Sequence, residues 1–188
     1  MARIKYGLSN VHYAKATAGT GGTLTYGTVK PLLGAVAMTL DQQGEAVDEY
    51  ADNILWFHMD TNNGYSGSLE LEELSDDFRK DILGEEEDTK DVLWENADSP
   101  VVEFALMFQF EVNGDPTVTG KRGCLMRCTA SRPSIAGSTR EATVTPQHDT
   151  VNLTAMPRVS DHLVKASCES TSAAYATWFS AVPTKATQ

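Results

Sequence analysis

Residues 101–112 alternate between apolar and polar side chains, the pattern of a β-strand with two different faces. Six apolar side chains share one face: Val102, Phe104, Leu106, Phe108, Phe110 and Val112. The other face carries Glu103, Ala105, Met107, Gln109 and Glu111. Burying each large apolar side chain stabilises a fold by on the order of 1.5–3 kcal/mol before conformational entropy opposes it. A core therefore explains the apolar face, and the polar face needs a separate explanation.

The same alternation predicts strands elsewhere in the chain. One begins near residue 31 and another spans residues 65–73, where Tyr65, Leu69 and Leu71 are expected to point inward. Further strands are predicted at residues 45–53, 54–60, 121–131, 138–146, 150–158 and 162–168. Residues 101–112 and 121–131 are expected to pair as a hairpin, and "TNNG" at 61–64 is expected to form an Asn-Gly hairpin turn.

Two short helices are predicted. Ser75 can cap a helix over residues 76–83, in which Phe78 and Ile82 share a face and Gly84 supplies the end. Asp76 and Asp77 complement the positive end of its dipole. The second helix is predicted over residues 171–182, where apolar residues at helical spacing precede a proline. These residues are Tyr175, Trp178, Phe179, Val182 and Pro183.

Many short strands with one or two short flanking helices indicate a mainly β protein, a sandwich or barrel. The 188 residues are enough for one domain with a substantial core. We expect an N-terminal arm and loop over residues 1–30, a β-sandwich over 31–170 and the C-terminal helix over 171–182.

The charge of the chain is strongly acidic, with 26 Asp and Glu against 15 Lys and Arg, a net charge of −11. This is the wrong sign for a protein that binds nucleic acid through its phosphates. Most of the excess lies in residues 70–91, which have eleven acids and three bases and are expected to be a solvated helix and loop. The sequence shows no apolar run of membrane-spanning length and no signal-peptide core, so we expect a cytoplasmic site of synthesis and no membrane partner.

Three cysteines are too few for a disulfide framework and are expected to be free thiols. Cys124 and Cys128 fall on the same face of a predicted strand, roughly 13 Å apart at the usual rise, unless a bulge intervenes. That separation excludes a disulfide between them and a shared metal ion.

Several stretches imitate functional motifs without completing them. "GDPTVTGKR" has five residues between Gly114 and Gly120 where a phosphate loop has four, and a strand follows it. "DTNNGYSGSLE" lacks the glycine position and flanking helices of a calcium loop, and "GYSGS" lacks the pattern of a nucleophile elbow. Glu103 and Glu111 lie about 26 Å apart on one strand, too far for paired acid and base catalysis. We expect no catalytic residues, cofactor or metal site.

The four histidines carry no acid partner that their spacing suggests, and we expect each to be a surface or interface residue. They are His12, His58, His148 and His162.

The succession of segments resembles a known family. In chain order these segments are "GLSNVHYA", "YADN", "GYSGSLELEELSDDFRKDILG", "EFALMFQFEVNG", "RCTASRPSIAGSTREATVTPQHDTVNLTAMPR" and "TWFSAVP". Together they resemble the major tail tube proteins of long-tailed, siphovirus-type phages of Gram-positive bacteria. The similarity covers nearly the whole chain, although the Gly- and Thr-rich residues 17–28 depart from it.

The resemblance implies a structural virion protein of the tail, made in the host cytoplasm, and not an enzyme. It implies a β-sandwich whose copies form hexameric rings that stack into a tube around the tape-measure protein. Its other expected partners are the tail terminator and distal tail proteins, and double-stranded DNA passes through the lumen without specific binding.

A tube gives the polar strand face a use. If residues 65–73 and 101–112 line the channel, their polar side chains form an acidic wall that repels DNA and lets it slide. The lumen-facing candidates are Glu70, Glu72, Glu103, Gln109 and Glu111.

Assembly into stacked rings requires heterologous interfaces. The N-terminal arm and the segment 42–53 are candidates, because each can add backbone hydrogen bonds to the sheet edge of a neighbour. The candidate interface residues are Ile4, Tyr6, Leu8, Gln42, Glu45, Tyr50 and Asn53. The alternative is that both segments are surface loops.

Two other functions stay open from the sequence. One is a ring-forming tail terminator, a decoration protein or another β-sandwich binding module. The other is an enzyme with a carboxylate site in the acidic segment, in which Asp76, Asp77 or Glu72 would be required for activity.

Overall fold

The computed structural model describes residues 2–139 and 145–186. Its main element is one antiparallel sheet of nine strands, so the described chain is mainly β, as predicted. The strands are β1 (Ile4–Ala18), β2 (Leu24–Tyr26), β3 (Lys30–Pro31), β4 (Ala35–Gln43), β5 (Ala46–Ala51), β6 (Ile54–Asp60), β7 (Gly64–Leu71), β8 (Glu86–Glu87), β9 (Leu93–Trp94), β10 (Phe104–Asn113), β11 (Gly120–Ala130), β12 (Asp149–Ala155) and β13 (Lys165–Glu169). The helical segments are a 3₁₀ turn (Thr20–Gly22) and α1 (Asp76–Phe78), which continues as a π-helical turn (Arg79–Leu83).

The large sheet has the order β2–β1–β10–β11–β12–β7–β4, with β13 beside β11 and β3 beside β1. The pairs β5–β6 and β8–β9 form two separate two-stranded sheets. Although β1 and β4 stand near opposite ends of this order, they contact each other. The large sheet therefore curves around an inner core.

The inner core is filled by alternate residues of the strands, as their patterns predict. Leu69 and Leu71 of β7 are 1% and 0% exposed, and Phe104 of β10 is 0% exposed. Phe78 of α1 packs edge-on between Tyr13 and Phe104, with ring centroids 5.0 and 5.5 Å away. The helix thus closes one side of the core with an aromatic stack.

The helix predicted at residues 76–83 is confirmed in position and in both caps. The Ser75 hydroxyl accepts a 3.4 Å hydrogen bond from the Phe78 amide, and Gly84 ends the segment with φ +75°. The final turn is π-helical and buries Ile82 and Leu83 in the inner core.

The expected N-terminal arm is wrong, because residues 4–18 form β1, which lies between β2 and β10. Two register shifts, between Tyr6 and Leu8 and between Ser9 and His12, interrupt its pairing with β10. Gly7 and Asn10 have φ of +60° and +49° at these shifts. Bulges reset the alternation of side chains, which hid a long strand from pattern analysis.

The expected C-terminal helix over residues 171–182 is also wrong. The chain makes consecutive turns instead, in which the Tyr175 amide donates to the Ser172 carbonyl and the Trp178 amide to the Tyr175 carbonyl. Arg122 of β11 also donates to the Tyr175 carbonyl. Trp178 and Val182, only 5% and 8% exposed, pack onto the outer face of the sheet. Packing of Trp178 and Val182 against the sheet therefore outweighs the local preference for a helix that their spacing indicates.

A bulge corrects the expected relation between two cysteines. Phe104 pairs with Cys128 and Leu106 with Leu125, so β11 has one residue more than β10 in this interval. Cys128 consequently lies in the inner core, whereas Cys124 lies in the outer cluster with Trp178. The two thiols are on opposite faces of the strand.

The remaining strand predictions differ in outcome. Residues 121–131, 150–158 and 162–168 overlap β11, β12 and β13. The strand predicted at 138–146 falls partly on residues 140–144, which lie outside the described residues, and its described ends form no strand.

Candidate assembly interface

Strands β5 and β6 form a hairpin that continues the β4–β7 ladder beyond the large sheet. Gln43 pairs with Gly64 in the last rung of β4–β7, and its carbonyl accepts a 2.8 Å hydrogen bond from the Asn63 amide. The Thr61 amide donates to the Glu45 carbonyl at 3.2 Å, which joins the two ladders. The seven residues of β6 extend the ribbon by about 23 Å at the usual rise.

The tip of this hairpin is at Asp52 and Asn53, which have φ of +50° and +62°. Two consecutive left-handed residues are typical of the type I′ turns that join paired strands. The hairpin turn predicted at residues 61–64 is therefore wrong. Asn62 and Asn63 connect two strands that follow each other along the same ribbon.

Every residue of β5 and β6 is exposed. Seven of them are large and apolar: Val47, Tyr50, Ile54, Leu55, Trp56, Phe57 and Met59. Tyr50 and Trp56 are 70% and 69% exposed. Soluble monomers rarely present so many apolar side chains together, and such patches mark interaction sites.

The two faces of the hairpin differ in chemistry. Val47 pairs with Met59 and Glu49 with Phe57, which makes one face apolar around a single carboxylate. The other face carries Asp48 opposite His58 and, nearer the tip, Tyr50 opposite Leu55, so it is mixed in character. We call the first of these the apolar hairpin face.

His58 has two acid partners, Asp48 and Asp60, that its spacing in the sequence does not suggest. Its Nδ1 lies 2.5 Å from Asp48 Oδ1, and its Nε2 lies 3.4 Å from Asp60 Oδ2. Hydrogen bonds to Asp48 and then Asp60 raise the pKa of His58 above its ordinary value. Counting outward from the tip would place Phe57 opposite Asp48, but a register shift between Glu49 and Tyr50 adds one residue to β6 and brings His58 there instead. The position of the turn alone would therefore not have revealed the pair.

The structure places the interface candidates on two separate elements. Gln42 lies one residue before the end of β4, Glu45 joins β4 to the hairpin, and Tyr50 and Asn53 lie on the hairpin itself. The other three candidates lie on β1, where Ile4 and Tyr6 are 65% and 50% exposed. Leu8 is half-buried and packs against the inner core.

The lumen candidates on β10 do not form an uninterrupted wall. Ala105 and Met107, midway along the polar face, are buried beneath Trp178 and Val182. The middle of this face of β10 is therefore covered by the C-terminal turns and does not face a channel.

The polar residues at the two ends of that face have partners. Glu103 Oε1 lies 2.5 Å from the Arg127 guanidinium, and Gln109 accepts a 2.8 Å hydrogen bond from Arg122. Glu111 is exposed beside β1.

The two candidates near β7 flank a histidine. His148 Nδ1 lies 2.8 Å from Glu70 Oε1, and His148 Nε2 lies 3.5 Å from Glu72 Oε2. Strands β11 and β12 separate this pair from the carboxylates on β10, so the structure does not bring the five candidates together.

A different polar face, on the outer side of β4, β7 and β12, is covered by no element of the described residues. Cross-strand rows align Thr39 with Ser68 and Asn152, and Asp41 with Ser66 and Thr154. The next row contains Ala37, Glu70 and Thr150. These rows contain hydroxyls, an amide and two carboxylates but no Lys or Arg.

The acidic segment is dispersed over several local contacts. Asp76 and Asp77 are exposed in the first turn of α1. Glu85 is buried: its side chain is 4% exposed, and both its carboxylate oxygens lie 3.0 Å from Arg79 Nε. Among the described residues, no three His, Cys, Asp or Glu side chains are grouped so as to hold a metal ion.

None of the described helices has the length and apolar character needed to cross a membrane. The chain was also compared with known proteins. No protein-family model matches it, and no curated protein sequence matches it.

Proposed function

We propose that this protein is the tail tube subunit of a siphovirus-type phage, a structural protein whose hexameric rings stack into a conduit for the genome. The carrying observation is the β5–β6 hairpin, a ribbon whose residues are all exposed and include seven large apolar side chains. The order of segments along the chain, which resembles such subunits, supports the choice of assembly. Its partners are other copies, the tape-measure protein, the tail terminator and distal tail proteins.

The β5–β6 hairpin has no covering surface among the described residues. An isolated two-stranded hairpin is marginally stable in water, and its free edges pair readily with other chains. Seven large apolar side chains on the hairpin gain free energy only when another surface covers them. A repeated contact between two different surfaces of identical copies produces rings or tubes.

The uncovered face of β4, β7 and β12 suits the wall of a DNA conduit. Its rows carry small hydroxyl and amide groups, with Asp41 and Glu70 as the charges. A wall without cations forms no counterion-releasing contacts with phosphates, so DNA slides past it. We propose this face as the lumen surface; of the five scattered candidates, Glu70 lies in its cross-strand rows.

The testing experiment is negative-stain electron microscopy of the purified protein at rising concentration, with its mass followed by light scattering. Hollow tubes of uniform width are expected. The matched variant replaces residues 46–60 with Asn-Gly, which removes the exposed ribbon and keeps the Glu45–Thr61 contact. It is expected to fold as a monomer that forms no tubes.

Other outcomes contradict the proposal in different ways. Single rings that never stack would favour the tail terminator or decoration protein. A wild-type protein that stays monomeric even with a tail-tip complex as initiator would overturn the tube proposal. Tubes from the hairpin-replaced variant would remove the hairpin from assembly.

A further inference from the structure

We propose that a lysine-rimmed groove on the large sheet is the receptor for the hairpin of a second copy of this chain. This inference rests on the proposed function, since it names the surface to which the exposed hairpin binds. The groove lies between β4, β10, β11 and β13, at the place where the large sheet curves back toward β1.

The groove has an apolar floor and a volume of about 450 Å³. Its floor is built from the side chains of Met38, Leu40, Phe108, Phe110 and Leu125. Phe108 and Leu125 are nearly buried, whereas the other three are half-buried and lie partly open to solvent. A ribbon with an apolar face would bury this partly open surface without leaving polar groups unpaired.

Three lysines surround the floor, and no acidic residue of the described chain lines the groove. Lys5 lies over the Phe110 ring at 4.2 Å, and Lys165 lies over the Tyr65 ring at 4.7 Å. Lys121 is exposed. A rim of this kind is distinctive in a chain whose net charge is −11.

None of these three ammonium groups forms an ion pair with a carboxylate of the described residues. Glu169 pairs with Lys121 in the β11–β13 register, yet its carboxylate lies 3.2 Å from Arg3. The lysines are therefore available to an acidic partner.

The hairpin has the complementary charge. Residues 45–60 contain no Lys or Arg and five acids, which are Glu45, Asp48, Glu49, Asp52 and Asp60. Glu49 is the carboxylate on the apolar hairpin face, opposite Phe57. When that face covers the floor, Glu49 comes against the lysine rim. Complementary charges of this kind select the partner and its register.

The occupant is a second copy because the hairpin cannot reach its own groove. Met38 and Leu40 of β4 and Tyr65 of β7 line one side of the groove, and the ribbon leaves the sheet from these same strands. Folding back would break the hydrogen bonds that join Gln43 to Asn63 and Glu45 to Thr61. Hairpin and groove are different surfaces, so docking is heterologous and propagates from copy to copy.

Charge reversal tests this docking. Lys121→Glu and Glu49→Lys change exposed residues on opposite sides of the contact. Each variant alone is expected to raise the concentration needed for assembly by roughly tenfold or more. An equimolar mixture is expected to restore assembly, because the reversed hairpin of one variant then meets the reversed groove of the other, and the native hairpin meets the native groove. Lys90→Glu, an exposed lysine outside the groove, is the matched control and is expected to assemble normally.

Cross-linking separates failure of this inference from failure of the proposed function. Glu49→Cys and Lys121→Cys proteins are mixed under oxidising conditions, with wild-type protein as the control for native thiols. A disulfide-linked dimer is expected only in the mixture. Such a dimer without tubes would overturn the tube proposal and retain the docking. Tubes without the dimer, and with normal assembly of both charge variants, would overturn the docking alone.

Discussion

The phenol of Tyr13 on β1 donates a 2.9 Å hydrogen bond to the carboxylate of Asp81 in the helical segment, 68 residues away. Lys30 Nζ lies 2.6 Å from the same oxygen. This contact ties the helix to two strands of the large sheet. Burial and the bond to Asp81 raise the pKa of Tyr13, so the phenol stays protonated and able to donate.

We expect Asp81→Asn to lower the free energy of unfolding at pH 7 by about 1–2 kcal/mol. Burial by itself raises the pKa of Asp81, but the hydrogen bonds from Lys30 and Tyr13 outweigh it, so the pKa falls below its ordinary value. A lowered pKa gives stability that is present above about pH 4 and is lost as the pH falls through the folded-state value. Urea unfolding from pH 7 to pH 2.5 should show the two proteins converging at low pH. Asp98→Asn, at an exposed loop position, is the control, and a difference that is constant with pH would contradict the assignment.

Trp178→Ala is expected to destabilise the protein by about 3–5 kcal/mol, because the indole covers the outer face of β10 and β11. Trp178 is 5% exposed and its Nε1 donates to the Gly123 carbonyl at 3.4 Å. Trp56→Ala is the matched control, since Trp56 is 69% exposed and should change monomer unfolding by less than about 0.5 kcal/mol. Urea unfolding below the assembly concentration gives both values. Equal losses from the two substitutions would show that the C-terminal turns do not cover the sheet.

His58 should titrate above the ordinary histidine pKa of about 6.5 in NMR spectra of its ring protons. Its imidazolium is held by Asp48 and Asp60, so the contact is strongest below the unfolded-state pKa and weakens as the pH rises through the folded-state value. Asp48→Asn is expected to lower the pKa of His58 more than Asp60→Asn does, because the Asp48 contact is shorter, at 2.5 Å against 3.4 Å. Identical titration curves in the three proteins would exclude the pairing.

Only Cys168 should react with a thiol reagent such as dithionitrobenzoate in the native protein. Burial raises the pKa of Cys124 to about 12 and also raises the pKa of Cys128, so neither forms a thiolate at neutral pH. Cys168 is only partly buried. One thiol per chain should titrate before denaturation and three afterwards, and Cys168→Ser should abolish the native reaction. Fast reaction of a second native thiol would contradict the buried placement.

Local signals in the sequence predicted the elements that local interactions stabilise. The helix at residues 76–83 was predicted in full because Ser75, Gly84 and the Phe78–Ile82 spacing act within one or two turns. The C-terminal helix failed because Arg122 and the outer face of the sheet, far away in sequence, engage Tyr175 and Trp178. β1 was missed because its bulges at Gly7 and Asn10 disrupt the period of two.

Among the candidate site residues, too, local patterns predicted some, and others depended on tertiary contacts. The sequence predicted strands at 45–53 and 54–60 and included Tyr50 and Asn53 among interface residues, and both lie on the exposed hairpin. It did not predict the Asp48–His58 pair, because that pair depends both on where the turn falls and on the register shift between Glu49 and Tyr50. The lumen candidates predicted from the sequence lie on or beside β7 and β10, which β11 and β12 separate in the sheet.

The sequence by itself determined the alternating faces of the strands and the acidic, apolar character of residues 45–60. Only the tertiary structure decided which faces are covered. The polar face of β10 is buried at Met107 by Trp178, whereas the apolar face of the hairpin, at Val47 and Phe57, is covered by nothing in the described chain. The physical reason is that alternation specifies which side chains share a face, while burial depends on which distant surfaces meet it.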